Sequence, residues 1–241
     1  MRVAALYDIH GNLPALEAVL AEVEAEGVDA IVFGGDVVGG PFSVEVFDRA
    51  ASLPRARVIR GNADRLVVEG EREHDVDWGA ERERLGDERL AAIRTWQLTV
   101  ELELDGLGRA LFCHAIPTAD EPIFTRITPD ADVQELLGDT GADVMVVGHT
   151  HVQFDRLLGS GLRVVNVGSV GMPYEGRRGA YWALLGPEVE LRRTEYDVEA
   201  AVAAIREAAS DEDLVRRLLD PPDPDEATAF FESQRKDVRG A

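Results

Sequence analysis

The sequence predicts an α+β fold of four layers, α/β/β/α, in which two mixed β-sheets pack face to face with helices on both outer sides. Three observations carry this expectation. The first sixty residues alternate strand and helix, the apolar period switches to two from about residue 98, and the second half breaks into hairpins at glycine turns.

Residues 2–7 (RVAALY) read as a first strand. Pro14 stands where a first-turn proline belongs, Leu13, Leu16, Leu20 and Val23 keep helical spacing, and Gly27 ends the helix. A strand over 30–36 (AIVFGGD), a helix near 43–52 ended by Pro54, and a strand over 56–62 (ARVIRGN) complete a βαβαβ opening, most simply a parallel sheet. Residues 65–97 are rich in Glu and Arg, with few large apolar groups before Leu85, Leu90, Ile93 and Trp96, which predicts a helical insertion of the kind that can cap a site. Leu98, Val100, Leu102 and Leu104 then share one face, DGLG turns the chain, and RALFCH returns as a hairpin.

A short helix near 130–138 leads into a strand over 143–148, followed by hairpins pairing 152–158 with 162–169 and 180–185 with 188–196. The second half is thus expected to be mostly antiparallel. Helices over 197–209 and 211–219 close the fold, the second opened by Ser210 with Asp213 three residues on, as in a capping box. One domain over 1–220 is expected, and PPDPDE begins a loose tail over 221–241.

With 241 residues, 45% of them hydrophobic, the chain can bury a sizeable core. No run approaches a membrane span, and MRVAALYD enters a strand without a charged leader and cleavage site, so the expectation is a cytoplasmic protein with no membrane partner. The lone Cys113, among the apolar neighbours of ALFCH, excludes an internal disulfide and predicts a small buried hydrophobe. The formal net charge of -21, with Lys236 the only lysine, repels a phosphate backbone and argues against extensive nucleic-acid binding. Oligomeric state has no signature here.

The chemistry gathers where strands end. The first ends in YDIHGN, the second in FGGDVVGG, the third in IRGNAD, the strand after the insertion in LFCHA and the next in VVGHTH, so every ending offers an Asp, Asn or His. Carboxyl ends of neighbouring strands open on one crevice, which lets Asp8, His10, Asp36, Asn62, His114, His149 and His151 meet across the sequence. The i, i+2 spacing of Asp8 with His10, and of His149 with His151, points two side chains the same way from an extended chain. Gly34, Gly35, Gly61 and Gly148 keep side chains out of that crowded centre.

Each element alone is an ordinary turn, cap or strand-end residue. Their concentration is the signal, since four of the five histidines sit at these endings. Two Asp, one Asn and four His are too rich in imidazole for calcium or magnesium. They suit two divalent transition-metal ions, manganese, iron, cobalt, nickel or zinc.

These blocks resemble the calcineurin-like metallophosphoesterases, whose pattern runs D-x-H, G-D-x-x-G, G-N-x-D/E, an isolated His and G-H-x-H. All stand here in order as DIH, GDVVG, GNAD, CHA and GHTH, and NVGSVGMP (166–173) is similar to a further family segment. The opening DIHGNLPALEAVL and the short chain resemble the small bacterial and archaeal phosphodiesterase branch. The resemblance implies a four-layer metallo-dependent phosphatase fold. It also implies a first metal on Asp8, His10, Asp36 and His151, and a second on Asp36, Asn62, His114 and His149, with Asp36 as the bridge. The implied reaction is hydrolysis of a phosphodiester or phosphomonoester of a small phosphorylated substrate by a bridging hydroxide, with Asp36, Asn62 and His114 at its catalytic heart.

Two departures narrow the reading. Phosphoprotein phosphatases carry a leaving-group histidine inside G-N-H-E/D, where this chain has Ala63, and their arginine after the G-D-x-x-D stretch is replaced by Gly39 and Gly40. Phosphate must then be gripped by other groups. Asn12, at the start of the first helix, is a candidate donor to a phosphate oxygen, with an N-cap as its other reading. His74 in the insertion and Arg177 with Arg178 after GMPYEG are further candidates, each better explained as solvated surface. The alternatives are a Ser/Thr phosphoprotein phosphatase, a nuclease of the same superfamily, or a non-catalytic metal-binding scaffold such as the similar retromer subunit. The acidic charge counts against the nuclease, and seven intact ligands count against the scaffold.

Overall fold

The computed structural model describes residues 1–70, 72–73, 76–209 and 211–235. Its strands are β1 Val3–Leu6, β2 Ala30–Gly34, β3 Ala56–Ile59, β4 Arg72–Glu73, β5 Val76–Asp77, β6 Thr99–Leu104, β7 Gly108–Cys113, β8 Val144–Val147, β9 Phe154–Leu157, β10 Arg163–Asn166, β11 Ala180–Leu185 and β12 Val189–Thr194. The helices are α1 Leu13–Glu26, α2 Ser43–Ala51, α3 Asn62–Glu69, α4 Trp78–Ile93, α5 Asp130–Leu137, α6 Val198–Ala208, α7 Glu212–Leu219 and α8 Pro224–Gln234.

Two five-stranded sheets form, in the orders β12-β11-β1-β2-β3 and β6-β7-β8-β10-β9. Strand β1 runs parallel to β2 and antiparallel to β11, and the three hairpins β6–β7, β9–β10 and β11–β12 pair as the sequence predicts. The second sheet is less antiparallel than expected, because β8 lies parallel to both β7 and β10. Hairpins announce themselves by a local turn, whereas a parallel pairing is made by a crossover that leaves no turn in the sequence.

Alternation along β1 explains the layering. Val3, Ala5 and Tyr7 enter the core between the sheets with Phe112, Val146 and Val165, while Ala4 and Leu6 face the outer core built by Leu16, Val19, Leu20 and Val23 of α1 with Trp182. On the opposite side, Val133 and Leu137 of α5 cover Cys113, Met145, Val147 and Val164. The result is the predicted α/β/β/α sandwich, with Tyr7 donating from its hydroxyl across the sheets to the carbonyl of Val146 at 3.0 Å. Cys113 is fully buried, and burial pushes its thiol well above the usual range, as expected of a structural cysteine.

The insertion is helical, with α3 and α4 sharing a small core of Val38, Val67, Leu85, Leu90 and Ile93. His74 lies outside the described residues. So does Ser210, and the cap of α7 is Asp211, whose carboxylate accepts from the amide of Leu214 at 3.0 Å.

The largest correction concerns the chain end. Instead of a loose tail from 221, Asp223 caps α8, with Pro224 in its first turn, and Ala227 and Phe231 pack against Tyr174 and Val152. Helix α8 has a weak apolar stripe, so periodicity gave it little signal, and its docking depends on Tyr174, fifty residues earlier. No described helix is long and apolar enough to cross a membrane.

Candidate metal centre

Asp8 follows β1, Asp36 follows β2, Asn62 opens α3, His114 follows β7, and His149 and His151 follow β8, so the layered fold delivers all of them to one end of the sandwich. The oxygen Oδ1 of Asp8 lies 3.3 Å from Nε2 of His151, 3.9 Å from Nε2 of His114 and 4.0 Å from Nε2 of His10. Asp36 Oδ2 lies 3.5 Å from His114 Nε2 and 3.7 Å from His10 Nε2. His114 Nε2 is 3.0 Å from Asn62 Oδ1, and the ring of His149 meets that of His114 edge-on at 5.1 Å between centroids. Two groups could each hold an ion: Asp8, His10 and His151, and Asp8, Asp36 and His114.

Backbone carbonyls set the imidazole tautomers. His114 donates from Nδ1 to the carbonyl of Gly34 at 3.0 Å, His151 from Nδ1 to that of Met172 at 2.7 Å, and His149 from Nε2 to that of Glu121 at 3.0 Å. A carbonyl only accepts, so each of these rings carries a proton on the outer nitrogen, and the inner nitrogen of a neutral ring is a lone-pair donor to a cation. With neutral rings, His114 and His151 meet Asp8 Oδ1, Asp36 Oδ2 and Asn62 Oδ1 as acceptor facing acceptor. Asp8 Oδ1 is buried without a hydrogen-bond partner. Such convergence of lone pairs is repulsive until cations enter it, and the mixed oxygen and nitrogen donors fit divalent transition metals.

Burial and neighbouring charges pull the titrating groups of the centre apart. For Asp36, burial and then the charge of Asp8 push the carboxyl well above the usual range. For Asp8, burial acts in the same direction, yet His151 and His114 outweigh it and the carboxyl sits well below that range. Burial and then His151 lower His10 to about 3, and burial and then His114 lower His149 to about 3, so both rings stay neutral and free to ligate. Bound divalent cations would reverse the penalty on the second carboxylate.

The backbone at the centre is unusual. Asp8, His10, Asp36, His149 and His151 have φ of 53°, 47°, 50°, 69° and 56°, and no other non-glycine residue among the described ones has a positive φ. This corrects the extended geometry expected for the i, i+2 pairs. Both pairs do share the centre, but through left-handed turns that cost of order 1 kcal/mol or more per residue. Surrounding contacts hold them there. Asp8 Oδ2 accepts from the amide of His149 at 3.0 Å, and Asp36 Oδ1 accepts from the amide of Ala63 at 2.8 Å. A Cβ on Gly61 would fall 2.2 Å from Asp36 Oδ1, and one on Gly148 would fall 2.5 Å from Asp8 Oδ2, which is why glycine precedes these turns.

Asn12 is the site residue the structure removes. It is fully buried; its amide oxygen accepts from the amide of Ala15, capping α1, and its amide nitrogen donates to the carbonyl of Gly171 at 2.9 Å. Its second amide hydrogen is directed to the hydroxyl of Tyr196 at 3.4 Å, so no donor remains for a phosphate, and the cap is its role. Arg177 lies against Glu195, and Arg178 bridges Glu199 and the carbonyl of Leu219, away from the centre.

Several residues that shape the centre escape sequence reasoning. The buried carboxylate of Asp64 accepts from the amides of Val37, Val38 and Gly61 at 3.0, 3.1 and 2.9 Å, tying the GDVV and GNAD turns together. Asn166 donates to the carbonyl of Gly148, and Ser169 donates to that of Asp8, so NVGSVGMP braces two ligand turns from below. Tyr174 stacks on His151 at 4.8 Å. Asp64 and Asn166 stood inside quoted motifs, so their position was visible although their bonds were not.

Residues 1–186 match the family model of the calcineurin-like phosphoesterase superfamily domain. The protein MJ0912 of Methanocaldococcus jannaschii is 29% identical over 241 residues, covering 90% of this chain and 97% of that protein. The crystal structure of a metallophosphoesterase from Sphaerobacter thermophilus is similar at 26% identity and a TM-score of 0.73, covering 91% of this chain and 98% of its own. That of the hypothetical protein PH1004 from Pyrococcus horikoshii OT3 shares the fold at 22% identity and a TM-score of 0.78, covering 92% and 99%.

Proposed function

This chain belongs to the calcineurin-like phosphoesterase superfamily, and from that premise we propose that it hydrolyses a phosphodiester or phosphomonoester bond of a small phosphorylated substrate with two divalent transition-metal ions, manganese first among them. Asp8, His10, Asp36 and His151 would hold one ion and Asp36, Asn62, His114 and His149 the other, with Asp36 shared. When bound, the ions lower the pKa of a water from about 15.7 towards roughly 7 and draw charge from the phosphoryl oxygens.

The observation that carries this reading is the convergence of acceptor atoms around Asp8 Oδ1, with three imidazole protons turned outward onto carbonyls. The chain's own part is preorganisation. The bond from the Ala63 amide fixes Asp36, the carbonyls of Gly34, Glu121 and Met172 fix the rings, and Asp64 fixes the two turns that carry Asp36 and Asn62. Ala63 offers no proton to a leaving group, which favours substrates whose leaving group is already acidic. The net charge of -21 keeps the reading on small substrates rather than nucleic-acid chains.

The test is hydrolysis of bis(p-nitrophenyl) phosphate and p-nitrophenyl phosphate by metal-stripped protein refilled with manganese, beside Asp36→Asn. Turnover that falls at least about a hundredfold in the variant supports the reading. Two manganese ions bound without turnover of either ester would refute it.

A further inference from the structure

The arginine of the phosphoprotein phosphatases has no counterpart at Gly39 and Gly40, which leaves open which side chain meets the substrate anion. Arg65 is already engaged by Asp120, Glu69 and Glu121. Arg217, on α7 and beyond the segment that matches the family model, is placed differently. Its Nη1 donates to the hydroxyl of Tyr174, and its guanidinium carbon lies 5.3 Å from the centroid of that ring. Tyr174, only 8% exposed, stacks in turn on His151 at 4.8 Å with 26° between planes. Nε of Arg217 donates to Asp213 at 2.7 Å, and Nη2 has no protein acceptor among the described residues.

A permanent cation one aromatic ring removed from a metal-binding histidine is repelled by whatever ions that histidine holds. The Tyr174 hydroxyl is neutral, and Asp213 is half-exposed and shared with Arg216, so the protein offsets the charge only from behind. An anion taken up by Arg217 at the hydroxyl edge of Tyr174 would offset that repulsion. With its side chain 32% exposed, Arg217 is open to a ligand from solvent.

We propose that Arg217, bonded to the hydroxyl of Tyr174, is the arginine of an anion subsite on the His151 side of the centre that takes an oxygen of the substrate phosphoryl group. This rests on the phosphoesterase reading, yet it can be tested by binding alone. The probe is inorganic phosphate, titrated calorimetrically into the manganese-loaded full chain, for wild type, Arg217→Met, Arg217→Lys and Arg216→Met.

Arg217→Met is expected to weaken phosphate at least about tenfold, the loss of a charged hydrogen bond, while the manganese stoichiometry holds. Arg217→Lys keeps the charge but not the fork and falls between the two. Arg216→Met, whose side chain is 72% exposed, stays within about twofold of wild type. Wild-type phosphate affinity in Arg217→Met accompanied by a lowered melting temperature would make the residue a staple of α7 and overturn the proposal; so would failure of the wild type to bind phosphate. Should Arg217→Met not fold, undiminished affinity in Arg217→Lys and in a urea-matched wild type overturns it equally. Arg217-dependent phosphate binding by a protein that hydrolyses neither test ester would uphold the subsite and defeat the catalytic reading.

Discussion

The two flanks of the centre are built by different means. The flank of Asp36, Asn62, His114 and His149 is braced by nearby backbone: Asp64 clamps its turns, and the carbonyls of Gly34 and Glu121 orient its rings. The flank of His10 and His151 leans on the end of the chain, since Tyr174 lies between His151 and Phe231 of α8 at 4.8 and 6.1 Å. One flank is thus closed within the segment that matches the family model, and the other is finished by a helix outside it. Both flanks orient a ring on a backbone carbonyl, Met172 serving His151, and the second flank adds the stack of Tyr174.

Asp64→Ala tests the first kind of support most severely. It strips three buried amides of their acceptor, and roughly 3 kcal/mol or more of stability should disappear in urea unfolding of the metal-free protein. A loss below about 1 kcal/mol would mean that the turns hold themselves. Phe231→Ala probes the other flank: a half-buried ring leaves, costing about 1–2 kcal/mol, and affinity for one manganese falls about tenfold while the other stays within about twofold. Equal weakening of both ions would erase the distinction between the flanks.

Asn12→Ala separates framework from chemistry. The α1 cap and the partner of the Gly171 carbonyl are lost, about 1–2 kcal/mol together, whereas KM for bis(p-nitrophenyl) phosphate stays within about twofold. A clear rise in KM at unchanged stability would restore Asn12 to the substrate.

A further effect is in pH and accumulates unit by unit. His10 is lowered to about 3 in the folded, metal-free protein, so between about pH 6.5 and 3 the unfolded chain binds the extra proton and stability falls as pH falls. Relative to His10→Asn, stripped wild type should lose up to about 1.4 kcal/mol per pH unit across that window, read from urea midpoints. A difference that is flat with pH would place His10 in water rather than in the centre.

Much of this was legible in the sequence. The strand endings DIH, GGD, GN, CHA and GHTH lie in order along the chain, and convergence at carboxyl ends is a rule of sheet topology rather than of any one sequence. The hairpins were readable because DGLG, GSG and GP are local turns. Three things were not. The parallel pairings of β8 with β7 and β10 depend on crossovers, the docking of α8 depends on Tyr174, and Asn12 can only be assigned to its cap once Gly171 is seen opposite it. Each is a long-range contact between segments whose local patterns are indifferent to it.

The five left-handed residues of the candidate centre also mark where durability and activity part company. A residue with a Cβ is held at positive φ by its surroundings at a cost that glycine does not carry. His149→Gly would therefore make a sturdier empty shell, relaxed in its turn and relieved of crowded lone pairs, but a poorer receptacle for metal. Selection for heat tolerance alone, without selection for turnover, would erode this protein at its ligands first.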